Sequence, residues 1–139
     1  MHYLVRARVK DTDVLTIYCS VIRTVLEYAC PVWHPGLTQK QSDEIEKIQK
    51  RCLKLIYPNL SYNQALATSG LTKLQERRET ITRELFNEIK DHQRVLHSLL
   101  PMRDPNSLRS RNPYQYLIPI TKPTRFGRAF VPYCISRRY

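Results

Sequence analysis

TQKQSDEIEKIQKRCLKLIYPNLSYNQALATSGLTKLQ, residues 38–75, decides the fold. Three times in this stretch a hydroxyl residue precedes a glutamine by three positions: Thr38 with Gln41, Ser61 with Gln64, and Thr72 with Gln75. Each pair is a capping box, in which the hydroxyl accepts from the amide three residues on and the glutamine returns a bond to the cap's own amide. Three helices should therefore begin here. After Thr38 the residues Ile45, Ile48, Cys52, Leu55 and Ile56 recur at helical period, and Pro58 should stop that helix near Tyr57. Ser61 opens a short helix through Ala65 and Leu66 that Gly70 should close. Thr72 opens a longer one, to about Asp91, with Leu74, Ile81, Leu85 and Ile89 on its apolar face and Glu79 to Arg83 as an i,i+4 pair.

Upstream, DTDVLTIYCSVIRTVLEYA (residues 11–29) continues the helical pattern, with Asp11 and Thr12 as capping candidates. Val14, Ile17, Tyr18, Val21, Val25 and Tyr28 form one stripe, and Leu15, Ile22 and Leu26 widen it. So broad an apolar surface predicts a buried central helix. PVWHPG (31–36) then reads as a rigid corner, with Trp33 as the apolar anchor that fastens it. From Pro101 to Tyr139 six prolines argue against long helices and central strands. Tyr114, Tyr116, Phe126, Phe130, Tyr133 and Tyr139 make this stretch too aromatic for a plain linker. The expected architecture is all-α: a bundle of about four helices over residues 1–100, then an irregular, proline-rich, extended arm over 101–139.

Charge narrows the partners. The chain of 139 residues carries 23 Lys plus Arg against 12 Asp plus Glu, a net +11, with an isoelectric point near 9.8. Such a balance favours a polyanion such as nucleic acid, or an acidic membrane face. Seven of the eleven net charges fall in the arm, where eight Lys and Arg face only Asp104. In the helix after Thr38, Lys47, Lys50, Arg51 and Lys54 lie at i, i+3, i+4 and i+7 and form one basic stripe, spaced for successive phosphates. A solvated face that merely complements the helix dipole has the same pattern. Arg77 and Arg78 are further candidates, although Glu76, Glu79 and Glu84 lie among them.

Other chemistries find little footing. Cys19, Cys30, Cys52 and Cys134 include no C-x-x-C pair, and Cys30 with His34 is too few ligands for a closed zinc site, so no metal or other cofactor is expected. His2, His34, His92 and His97 have no nucleophile or carboxylate close by that suggests a triad, and three scattered glycines make no phosphate loop. No stretch has the roughly 18 uninterrupted apolar residues of a spanning helix, so no membrane partner and an intracellular location, nucleus or cytoplasm, are expected. From its residues alone the chain reads as a basic helical binding module, not an enzyme.

Five segments, in this order, carry a resemblance: LTIYCSVIRTVLEYACPVWHPGL (15–37), IEKIQKRCLKLIY (45–57), SYNQALATSGLTKLQERRE (61–79), LFNEIKD (85–91) and TRFGRAFVPYCI (124–135). Together they resemble the region after the polymerase core in reverse transcriptases of jockey-like non-LTR retrotransposons. The resemblance implies a thumb-like helical segment that follows the palm of an RNA-directed DNA polymerase and helps hold an RNA–DNA template and primer. Lys47, Lys50, Arg51, Lys54, Arg77 and Arg78 are the residues it suggests for the backbone grip. Polymerase chemistry needs palm carboxylates that hold two magnesium ions, and no Y-x-D-D or F-x-D-D occurs; Asp11 and Asp13 suit a helix start instead. The implied fragment lacks palm and fingers, begins inside a helix expected to start upstream, and should self-associate through apolar surface that a palm would cover.

Overall fold

The computed structural model describes residue 3, residues 6–102, residues 116 and 117, and residues 125–139. His2, half of the arm's cations, most of its prolines, and Tyr114 lie outside these residues. Among the described residues the chain is all-α, with six α-helices and no strand, only an isolated antiparallel bridge between Met102 and Tyr116.

Helix α1 spans Asp11–Glu27, α2 Cys30–Trp33, α3 Gln39–Ile56, α4 Tyr62–Ser69, α5 Leu74–Ile89 and α6 Phe130–Arg137. Two of the three capping boxes form in full. Thr38 and Ser61 each accept from the amide of their glutamine partner, and Gln41 and Gln64 return the bond. The third gives way: α5 starts at Leu74, with the Lys73 carbonyl accepting from the Arg77 amide. The Thr72 carbonyl accepts from Gln49 Nε2. At α1 neither Asp11 nor Thr12 caps; Lys10 holds that position without a side-chain bond, and Asp11 and Asp13 sit in the first turn. Negative charge there still complements the helix dipole.

Two compact units make up the chain, one of residues 1–30 and 37–79 and the other of residues 31–36 and 80–139. In the first, Val14, Leu53, Ile56, Ala65 and Leu66 form the core, with Val9, Leu15, Tyr57, Leu60, Tyr62 and Leu71 packed around it. In the second, Phe86, Ile89, Leu100, Cys134 and Ile135 are the core. Phe86 meets Tyr116 and Phe130 edge to face, each 6.2 Å between centroids. Offset and edge-on geometries suit the ring quadrupoles.

Three expectations are corrected. The helix from Asp11 is not buried all round: Val14 and Tyr18 are buried, whereas Val21, Val25 and Tyr28 are 58%, 71% and 79% exposed. Its middle, Tyr18–Arg23, is a π-helical segment. The wider π turn slips the phase of the stripe, so that Ile22, Arg23, Leu26 and Glu27 become the half-buried residues beyond it. Second, the corner is itself helical, with a short α turn at Cys30–Trp33 and a 3₁₀ turn at His34–Gly36. The break before it comes from Ala29, at φ +49°, and not from the proline. Third, the end of the expected extended arm is α6, which packs on α5 in the second unit's core. Pro132 lies in the first turn of α6, where a helix has no intrahelical use for the amide that proline lacks.

Candidate nucleic-acid interface

Lys47, Lys50, Arg51 and Lys54 are all exposed on α3. The expected apolar face turns them outward only in part. The buried residues of α3 are Ser42, Glu46, Gln49, Cys52, Leu53 and Ile56, so Cys52 and Ile56 of the expected face are inside, whereas Ile48 is 41% exposed and Ile45 and Leu55 are half-buried. Relative to the aliphatic pattern, the helix is rolled by about a quarter turn, at 3.6 residues per turn.

The roll has a polar cause. Tyr18 donates its hydroxyl to Gln49 Oε1 at 2.8 Å, and Gln49 Nε2 donates to the Tyr62 hydroxyl at 2.9 Å and the Thr72 carbonyl at 3.0 Å. Tyr62 in turn donates to Glu46 Oε1. Gln49, with no exposure at all, thus has its carbonyl and amide nitrogen both satisfied. Arg78 Nη2 donates to Ser42 Oγ at 2.8 Å, and among the opposing charges the Glu46 carboxylate does most to support the buried guanidinium. Burial lowers the Arg78 pKa from its usual value, and Glu46 offsets part of that. Each buried polar group would cost about 1–3 kcal/mol if left without its partner, so this network outweighs the roughly 1–2 kcal/mol gained by tucking Ile48 inward.

The cationic stripe has its own local contacts. Lys47 Nζ lies 2.7 Å from Glu44 Oε1, a fully solvated pair worth little to stability. Lys50 Nζ stands 5.2 Å from the centroid of the Tyr62 ring. Lys54 Nζ donates to the Pro58 carbonyl at 2.6 Å, beyond the helix's C-terminal end. The remaining two candidates separate. Arg77 is exposed and 3.5 Å from Glu27 Oε2, and Glu27 also pairs with Arg23 at 2.6 Å. Arg78 is 0% exposed and drops out of the surface candidates, because its guanidinium is held inside the first unit.

Compared with known proteins, the chain matches no family model, no curated protein and no solved structure. Function has to be argued from the surface itself. Among the described residues no group of three or more His, Cys, Asp or Glu is placed to hold a metal ion, and all four cysteines are free thiols. Among the described residues no single helix is long and apolar enough to cross a membrane. The inward line of α3 escaped the sequence reading at Ser42, Glu46 and Gln49 because these are polar. Its signal was the 4-3-4-3 spacing of Ser42, Glu46, Gln49, Leu53 and Ile56, which is the spacing of a helix seam.

Proposed function

We propose that the chain is a non-catalytic, thumb-like fragment of a retrotransposon reverse transcriptase, with residues 1–100 as a bundle of about four helices and residues 101–139 as a basic arm. Its retained activity is sequence-independent binding to the backbone of RNA or DNA, an RNA–DNA hybrid included. One observation carries this reading: Lys47, Lys50, Arg51 and Lys54 are presented together on one exposed helix face while the opposite face is pinned by buried hydrogen bonds. A fixed row of cations neutralises successive phosphates and releases condensed counterions on binding. Arg77 supplies a further cation, partly neutralised by Glu27.

Fluorescence anisotropy of a labelled RNA–DNA hybrid against salt tests it. With four phosphate contacts the log–log slope is about −3 to −4, and a variant with all four stripe residues changed to Gln loses the binding. Equal binding by both proteins, or none by either, reduces the stripe to a solvated helix face.

A second reading, a helical protein-interaction module, draws on the exposed row Val21, Val25 and Tyr28 of α1. On that reading the polymerase palm and fingers, or another copy of the chain, cover the row, and association resists salt.

A further inference from the structure

Beside the stripe the first unit holds two adjoining hollows that share Lys50 and Tyr62. The smaller, about 210 Å³, is lined by Leu53, Leu60, Ala65 and Lys54 in addition to the shared pair. It falls below the roughly 300 Å³ at which pockets for drug-sized ligands begin, a scale suited to a single planar ring. The larger, about 260 Å³, is polar and adds Asp43, Glu46, Asn63, Lys73 and Gln75.

Tyr62 is well prepared to be a platform. Its hydroxyl is held between Glu46 and Gln49, so the ring is fixed in place, and Lys50 Nζ is 5.2 Å from its centroid. An aromatic face flanked by cations is how proteins seat unstacked bases of a single strand, the ring taking the base and the cations its phosphates. Charge complementarity selects the occupant: Lys50 and Lys54 belong to the stripe, and Lys73 adds a cation from outside it. Asp43 and Glu46 in the polar hollow disfavour a free phosphate there, and Asp43 offers an acceptor to sugar hydroxyls, so the phosphates fall to Lys50, Lys54 and Lys73 at the edges. A base inside a paired duplex is stacked and cannot enter.

Resting on the nucleic-acid reading above, we propose that these hollows take one unpaired nucleotide of a single strand, its base on the part-exposed Tyr62 and Leu60 and its phosphates on Lys50, Lys54 and Lys73. The interface therefore prefers single-stranded over duplex nucleic acid.

The test compares a labelled 12-nucleotide single-stranded RNA with a duplex of the same sequence. Tyr62→Phe and Tyr62→Leu both remove the hydroxyl and differ in the ring, which separates stacking from loss of the Glu46 hydrogen bond. Tyr62→Phe binds the single strand as tightly as the native chain, whereas Tyr62→Leu binds it about tenfold more weakly and binds the duplex within twofold of native. Lys73→Gln, an exposed change with little risk to folding, lowers the single-strand salt slope by about 0.7 and leaves the duplex slope unchanged. Equal single-strand affinity for the two Tyr62 variants together with an unchanged Lys73→Gln slope overturns the pocket. If the pocket fails in this way while the four-Gln variant still loses duplex binding, the backbone grip stands without it. If the native chain binds neither form, both readings fall.

Discussion

At Gly70 the chain turns out of α4 with φ +67°, a conformation that any side chain bearing a Cβ resists. The Leu71 amide reaches back to the Leu66 carbonyl at 3.1 Å and the Gly70 amide to the Ala67 carbonyl, closing the helix by a Schellman motif. A Cβ at Gly70 would meet nothing within 4 Å, so a substitution there costs only backbone strain. Gly70→Ala lowers stability by about 1–2 kcal/mol with no change in packing, measured as a shift in the urea midpoint at constant m-value. The same left-handed conformation is held without glycine by Ala29, at φ +49°, and by Arg138, at φ +60°. Gly70 was readable because glycine is the expected residue there; Ala29 was not, because alanine favours the helix its φ breaks.

Helix α3 is an element whose two faces do different work, and single substitutions tell them apart. Arg78→Gln removes a buried, hydrogen-bonded cation and leaves Ser42 and Glu46 without it. That change costs about 2–4 kcal/mol of stability, read by thermal or urea melts. Arg51→Gln acts on an exposed cation, leaves the melt within about 0.5 kcal/mol, and weakens nucleic-acid binding with a shallower salt slope. If Arg78→Gln melts like the native chain, the buried network is not what sets the rotation of α3. Local signals placed this helix well: its cap at Thr38 and its end at Ile56, next to the expected Tyr57, follow from Gln41 and Pro58. Which face is buried was not local. Ser42, Glu46 and Gln49 are tolerable inside only because Arg78, Tyr18, Tyr62 and Thr72 supply partners from 13 to 36 positions away.

For the whole molecule, several buried acids of weak strength act in the same direction. Burial pushes the Cys30 thiol up to about 11, and raises the Cys52 thiol and the Tyr18 and Tyr62 phenols. A folded-state pKa above the unfolded one favours the neutral form, so its contribution is complete below about pH 9 and is lost as pH rises toward 11. The melting temperature therefore holds near neutrality and falls between pH 9 and 11, and Cys30→Ala makes that fall shallower. A native chain whose melting temperature is flat to pH 11 would contradict the burial of these groups. The sequence by itself determined that the chain is helical, where α3 and α4 begin, and which cations share a face, because capping, glycine and proline geometry and the 3.6-residue period act within a few residues. Only the tertiary structure decided the roll of α3, the burial of Arg78, the exposure of Val21, Val25 and Tyr28 beyond the π segment, and the helix after Ala129. Those outcomes depend on which distant group satisfies each buried donor and acceptor, and no local pattern carries that information.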